Sequence, residues 1–343
     1  MRNSFLIGTI TNYGNSIPRL STEFRPEDYF GAVMVRWGIN RNNYRVQPGI
    51  YAIGNPDESS DVFVTANYKL TFDQVRKNLS GLNCWVLVLD TKGVNVWCAA
   101  GKGIFGTKEL VNKINEVSLG RIVNHKRIIL PQLGATGVAA HKVKEETGFN
   151  VHYGPVRATD IKRFVSSGYR ADKGMRSVTF RFADRVKLIP NDFIYGKFYL
   201  LSLMAVVLII SGITSTGFSY SGFTEGSGRS MLNVFFGYIT GVVITPMLLP
   251  YIPGKRFSMK GFYSGSLMCL ILFAFHVTGK SVFEITSWFL VITSVSSFLA
   301  MNFTGSSTYT SLSGVKKEMS LALPLQIVFA LTGIALQIIG KLI

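Results

Sequence analysis

The sequence predicts an α/β domain built on a parallel sheet, followed by an all-α bundle of five transmembrane helices. Three observations predict this. Charge is unevenly divided: residues 1–197 hold 28 Lys+Arg and 16 Asp+Glu, whereas residues 198–343 hold 8 and 3. After residue 197, apolar segments recur that approach the ~20 residues needed to cross a bilayer. Before it, strand-like and helix-like runs alternate in the order β-α-β-α-β-α-β, the pattern of a parallel sheet covered by helices on both faces. The 343 residues therefore divide into an N-terminal extension (1–45), a soluble domain (46–190) and a membrane domain (191–343).

Each element of the soluble domain has a local cause. Val62-Phe63-Val64-Thr65 is a β-branched apolar run and predicts a buried strand, followed by a short helix over Asp73–Leu79. Trp85–Leu89 is a second strand, closed by Asp90, and Thr107–Val117 an amphipathic helix. Arg127–Leu130 is a third strand, ended by Pro131; Ala139–Glu146 is a helix and Asn150–Tyr153 a fourth strand. Ligands of such sheets bind outside the carboxyl ends of the strands. The loops there are Thr65–Thr71, Asp90–Gly106, Pro131–Gly137 and Gly154–Arg157.

The membrane spans are predicted at Phe198–Ile213, Met231–Ile252, Phe262–Gly279, Ile285–Phe303 and Met319–Gly340. With a cytoplasmic soluble domain, the cytoplasmic loops carry Lys255, Arg256, Lys260, Lys316 and Lys317, and the opposite loops only Arg229 and Lys280. The ten Lys/Arg of residues 157–197 add to the same side. This asymmetry places the protein in the cytoplasmic membrane as a multi-pass chain with an exterior C-terminus. The basic balance is read as a topology signal and a contact with the lipid bilayer, and no nucleic acid partner is expected. The N-terminus shows no signal peptide pattern.

Three cysteines, Cys84, Cys98 and Cys269, stand far apart, so no cluster with iron–sulfur or zinc spacing exists. Cys84 and Cys269 lie in apolar runs. Cys98 differs. Asn95 is an N-cap residue type, and Val96, Trp97 and Cys98 then fill the first turn of a short helix ended by glycines. A helix N-terminus and Lys102 one turn on favour a thiolate. A buried structural cysteine is the alternative.

Gly101-x-Gly103-x-x-Gly106 matches a dinucleotide fingerprint but neither follows its strand at once nor opens the right helix. Its glycines are read instead as ending the cysteine helix and admitting a large planar ligand. Thr65, Asn67 and Thr71 offer hydroxyls and an amide to a ligand, or Thr71 caps a helix. Gly134 and Gly137 make a loop with exposed backbone. His141 and His152 are assigned ordinary hydrogen-bonded roles. His276 is the one ionisable group within the third span, near its end. The hydroxyl-rich loop Asn302–Ser311 is a candidate docking segment. Gly237-x-x-x-Gly241 is a small-residue packing motif suited to a homodimer contact.

Several separated patches carry a family resemblance. Val64–Thr71, Leu89–Gly93, Asn95–Thr107, Leu130–Gly134 and Tyr153–Arg157 together resemble the corrinoid-binding domain of the corrinoid iron–sulfur proteins of the acetyl-CoA pathway, over roughly residues 44–165. The cluster-binding cysteines of those proteins are missing and five spans are added. In this the chain resembles the membrane-anchored mercury-methylating corrinoid proteins, whose motif Asn-Val/Ile-Trp-Cys-Ala-Ala/Gly-Gly-Lys it fits throughout.

The resemblance implies a Rossmann-like corrinoid-binding fold and a base-off cobalamin. Its cofactor-binding residues would be Thr65, Asn67, Thr71, Asn95, Val96, Trp97, Cys98, Ala99, Ala100, Gly101, Lys102, Gly103, Gly134 and Gly154, with Cys98 catalytic and the lower axial partner of cobalt. It implies corrinoid-dependent methyl transfer from methyl-Co(III) to Hg(II), forming methylmercury. A ferredoxin-like partner with two [4Fe–4S] clusters would donate electrons, and a methyl-tetrahydrofolate-linked system the methyl group; this chain itself would hold no iron–sulfur cluster. Softness matching favours a cysteine beneath cobalt. Two other functions compete. One is a membrane-anchored corrinoid methyl carrier in one-carbon metabolism without mercury chemistry. The other is a membrane transporter with a soluble regulatory domain, against which the scarcity of intramembrane charge argues.

Overall fold

The computed structural model describes residues 5–12, 14–306 and 312–342. It resolves into two compact units: Met1–Val35 with Ile39–Val178, and Arg36–Gly38 with Thr179–Ile343. The helical unit thus begins earlier than residue 191.

The first unit contains, in order, β1 (Leu6–Asn12), β2 (Asn15–Leu20), α1 (Pro26–Arg36), β3 (Gly49–Ile53), β4 (Val62–Ala66), α2 (Lys69–Asn78) and β5 (Cys84–Leu89). There follow α3 (Val96–Gly101), α4 (Thr107–Glu116), α5 (Leu119–Ile122), β6 (Arg127–Leu130), α6 (Ala140–Thr147), β7 (Asn150–Tyr153), α7 (Ile161–Ser166) and α8 (Lys173–Arg176). The four strands read from the sequence form a parallel set, with β4 between β5 and β6, and β7 outside β6. β4 and β5 are buried along their whole length, which is why both read as unbroken apolar runs.

The sheet is larger and more mixed than that reading. Its full order is β1-β2-β3-β5-β4-β6-β7, with β3 antiparallel to β5, β2 parallel to β3 and β1 antiparallel to β2. Residues 1–45, expected as an extension, therefore supply two strands of the sheet and the helix α1. Pro18 sits in β2 without breaking the sheet because pairing with β3 begins only at Arg19. α1 and α2 are joined by a buried ion-pair network. Asp28 meets Arg76 at 2.7 Å and Lys69 at 2.7 Å, and Asp73 meets Arg76 at 2.8 Å.

The sequence of connections creates a switch point at β4. From β4 the chain passes through α2 to β5 on one side; from β6 it passes through α6 to β7 on the other. The crevice outside the carboxyl ends of β4 and β6 is where such folds bind ligands.

The second unit contains α9 (Phe182–Val186), α10 (Ile189–Ser211), the short hairpin β8 (Ile213–Thr214) and β9 (Gly217–Phe218), and α11 (Tyr220–Ile239). α11 runs through a π-turn at Thr240–Ile244 into α12 (Thr245–Leu248); α13 (Phe257–Ala274), α14 (Val282–Asn302) and α15 (Leu312–Leu342) complete it. Five of its helical stretches are long and apolar enough to cross a membrane: 189–211, 220–248, 257–274, 282–302 and 314–342.

α14 is the hub of the bundle. Glycines of three other helices face it: Gly237 of α11 lies against Ile292, Gly261 and Gly265 of α13 against Ser296 and Thr293, and Gly333 of α15 against Ser287. The serines of α14 use that closeness, Ser296 donating to the Gly261 carbonyl at 2.8 Å and Ser287 to the Gly333 carbonyl at 2.7 Å. The Gly237-x-x-x-Gly241 motif is therefore spent inside one chain. Gly241 stands against Ser296 and Leu299 of α14 and is not left for a second copy.

His276 lies outside α13, exposed, at a left-handed φ of 56° in the turn that ends the helix. It lies beyond the apolar helical stretch 257–274. Residues 307–311 of the hydroxyl-rich loop lie outside the described residues.

Candidate functional site

The site is assembled from the loops that follow β4, β5 and β6. Asn67, directly after β4, organises the second of them. Its Nδ2 donates to Asp90 Oδ1 at 3.0 Å, and its Oδ1 accepts from the Thr91 amide at 3.1 Å, the Thr91 hydroxyl at 2.9 Å and the Gly93 amide at 3.0 Å. Asn67 is 1% exposed and its amide is consumed by the protein. It positions the loop. Glu109 of α4 completes the arrangement by accepting the Asp90 amide at 2.8 Å. Burial works against the charged form of Asp90, but the Lys92 side chain and backbone, with Asn67, outweigh it and hold its carboxyl below the usual carboxylate range.

The loop so fixed delivers α3. Asn95 is its N-cap, with extended backbone and a side chain that accepts the Cys98 amide at 2.9 Å. Val96, Ala99 and Ala100 turn inward and join the core with Leu89, Phe105 and Leu130. Trp97, Cys98, Gly101, Lys102 and Gly103 turn outward and are exposed. The helix ends in a left-handed glycine, Gly103 at φ 74°, whose amide reaches back to the Ala100 carbonyl. A Cβ placed on Gly101 or Gly103 would meet nothing within 4 Å. This face is open.

The loop after β6 packs against the back of α3. Gly134 is required there, because a Cβ would fall 2.5 Å from the Phe105 ring, and Gly137 likewise, 2.2 Å from the Phe105 carbonyl oxygen. Thr107 and Tyr153 tie the same loop down, Thr107 Oγ1 accepting from Ala139 N at 2.9 Å and Tyr153 Oη donating to the Val138 carbonyl at 2.7 Å. Gly134 and Gly154 are buried and serve chain packing. Thr71 lies within the first turn of α2, whose N-cap is Tyr68, so it is no cap. Thr65 is fully buried at the end of β4, and its hydroxyl has no partner among the described residues.

Cys98 is the exposed cysteine; Cys84 and Cys269 are buried, and burial pushes the Cys84 thiol up. His141 and His152 are exposed, and neither side chain makes a hydrogen bond among the described residues. Glu109 was not singled out by the sequence, and Phe105 and Tyr153 entered only within the patches that carry the resemblance, with no role of their own. Only the Gly134 spacing after Pro131 could have signalled a ring needing room.

Comparison with known proteins concerns the first unit. Residues 37–165 match the family described as CO dehydrogenase/acetyl-CoA synthase delta subunit. The acetyl-CoA decarbonylase/synthase complex subunit gamma of Archaeoglobus fulgidus is 32% identical over 131 residues, 38% of this chain and 27% of that protein. That of Methanocaldococcus jannaschii is also 32% identical over 131 residues, 38% of this chain and 26% of that protein. The corrinoid/iron-sulfur protein large subunit of Moorella thermoacetica is 33% identical over 123 residues, 35% of this chain and 27% of that protein. The chain thus spans about a quarter of the length of these relatives. By this measure the sheet unit, with the loops around α3, is related to subunits of acetyl-CoA decarbonylase/synthase complexes and to a corrinoid/iron-sulfur protein.

Proposed function

We propose that the sheet unit carries a corrinoid and that the chain is a membrane-anchored corrinoid methyl carrier of one-carbon metabolism. The relation to acetyl-CoA decarbonylase/synthase subunits supports this reading. The observation that carries it is the open face of α3: Trp97, Cys98, Gly101, Lys102 and Gly103 are exposed together, with free space where Gly101 and Gly103 lack side chains. A large planar ligand needs such a face, and these residues fit one.

When bound, a corrinoid supplies a cobalt-carried methyl group for transfer. The chain supplies position and one soft donor. Cys98 is the residue that would offer a soft donor to the corrinoid's metal, because its thiol is the sulfur on the exposed face. Asn95 fixes the Cys98 backbone and Asn67 fixes the loop that precedes it. Gly101 and Gly103 keep the approach clear, and Lys102 adds a cation beside it. With three cysteines in the whole chain, electrons would come from a separate ferredoxin-like partner bearing two [4Fe–4S] clusters, and the methyl group from a tetrahydrofolate-linked donor. The loop charges favour a cytoplasmic sheet unit and an exterior C-terminus.

A second acceptor is favoured by one observation. The stretch Asn95–Lys102 presents an exposed thiol in a chain with five helices apolar enough to span a membrane. That combination resembles mercury-methylating corrinoid proteins, and on that reading Hg(II) would be the acceptor and methylmercury the product. The test is anaerobic purification of the full chain with a cobalt assay and visible spectrum, before and after Cys98→Ala, followed by incubation with Hg(II) or with carbon acceptors. Cobalt binding with a spectrum altered by Cys98→Ala supports the site. Methylmercury formation assigns the second acceptor; methyl transfer to carbon alone assigns the first. A chain that binds no corrinoid under reducing conditions overturns both.

A further inference from the structure

Between α13, α14 and α15 lies a cavity of about 280 Å³. Much of its wall is apolar, with Met259, Phe262, Leu325 and Phe329 among the lining residues. One end carries charge of both signs. Glu318 of α15 lines it there and is 6% exposed. One of its oxygens accepts the Ser258 amide at 2.6 Å, at the start of α13. Glu318 has no cationic partner among the described residues. Arg256, the N-cap residue of α13, lines the same end, is exposed, and is in no ion pair or side-chain hydrogen bond among the described residues.

Two opposite charges thus border one cavity without pairing to each other. A carboxylate buried in a membrane-spanning segment needs a cation, and the Ser258 amide supplies only a partial positive charge. A ligand matched to this lining brings a cation with N–H donors to Glu318, an anion to Arg256, and an apolar tail to the ring-lined body of the cavity. An anionic phospholipid satisfies Arg256 and leaves Glu318 unpaired. A choline headgroup brings a cation with no N–H to donate. An ethanolamine headgroup meets all three needs.

We propose that this cavity is a binding site for a phosphatidylethanolamine, its ammonium on Glu318, its phosphate on Arg256 and part of an acyl chain beside Phe262, Leu325 and Phe329. The site is independent of the corrinoid reading and stands or falls separately.

The experiment is native mass spectrometry of the full chain in mild detergent, with phosphatidylethanolamine, phosphatidylcholine and phosphatidylglycerol added in equal amounts. The expected result is an ethanolamine-lipid adduct at least about tenfold more populated than either of the others, the step of a ligand gaining one desolvated charge pair. Glu318→Gln keeps an oxygen for the Ser258 amide and removes the charge; it brings the ethanolamine lipid down to the choline-lipid level. Arg256→Gln weakens all three lipids alike. Equal adducts of the three lipids on the native chain, a preference for phosphatidylglycerol, or an ethanolamine preference that survives Glu318→Gln overturns the proposal. The competition on the native chain decides the question by itself where Glu318→Gln does not fold.

Discussion

Asn67 Nδ2 donates to Asp90 Oδ1 at 3.0 Å across 23 residues of chain, so the end of β4 holds the end of β5 in place. The same side chain accepts three further hydrogen bonds from Thr91 and Gly93. Replacing Asn67 by Ala removes all of them and leaves the Thr91 and Gly93 amides without their acceptor, while the Thr91 hydroxyl keeps the Val94 carbonyl at 2.6 Å. The expected loss is about 3 kcal/mol, given ~1 kcal/mol per bond and the cost of buried groups left unpaired. Chemical denaturation of the full chain measures it, and corrinoid retention falls with it. A variant as stable as the native chain sinks the positioning role.

Asn95 acts more locally. Asn95→Ala removes the cap on α3 and costs about 1 kcal/mol. Because Cys98 remains present, the expected pattern is cobalt binding retained with slower methyl transfer and a shifted visible spectrum. Asn95→Ser, which keeps a capping oxygen, restores most of both.

Gly134 tests the packing behind α3. Gly134→Ala puts a methyl group 2.5 Å from the Phe105 ring, and the expected destabilisation is about 1–3 kcal/mol. Phe105→Leu in the same chain relieves the clash, so the double variant is more stable than the sum of the two single changes. Simple additivity in a double-mutant cycle rules the clash out.

The network around Asp28 predicts a pH dependence. Burial raises the Asp28 pKa, but hydrogen bonds from Lys69, the Arg25 amide and Arg76 outweigh it and leave the carboxyl below its ordinary range. Burial lowers the Lys69 pKa, but Asp73 and Asp28 outweigh it and leave the ammonium above its ordinary range. A depressed carboxylate contributes stability that is present above about pH 4 and lost as pH falls through the folded value. A raised ammonium contributes stability that is present below about pH 10 and lost as pH climbs through its folded value. Thermal melts of the sheet unit within the full chain are therefore expected to be flat between these limits and to fall on both sides. Asp28→Asn lowers the plateau by about 3 kcal/mol and shallows the acid limb. An acid limb of unchanged steepness contradicts the assignment.

Gly241 separates packing within a chain from association between chains. Gly241→Leu drives a side chain into Ser296, whose carbonyl lies 2.9 Å from the Cβ position. Loss of helical-unit stability in detergent, at unchanged oligomeric state, is the expected result. A change of oligomeric state with intact stability reverses it.

The strands β4 and β5 were legible because burial on both faces leaves an unbroken run such as Cys84–Leu89, and β6 shares this over Ile128–Leu130. β1 and β2 were not, because β1 exposes much of its surface and β2 contains Pro18, so neither carries an apolar stripe. β3 lies between Pro48 and Gly54 and carries Gly49 and Ala52 among its five residues, so it shows neither an apolar run nor a clear alternation. Around the site, the Asn95 cap and the outward Cys98 followed from local sequence. The role of Asn67 did not, since its partners are 23 to 26 residues away and only the parallel register brings them near. Gly134 read as open backbone, and the Phe105 ring that fills its space came from another loop.

The serines of α14 carry a consequence for how the chain is made. Ser296 and Ser297 donate to carbonyls of α13, at Gly261 and Ser258, which has already emerged when α14 is synthesised. Ser287 donates instead to Gly333 of α15, which emerges last. Ser297 also accepts from Gln326 of α15, so both ends of α14 wait for the last helix, and its arrival is expected to complete the bundle.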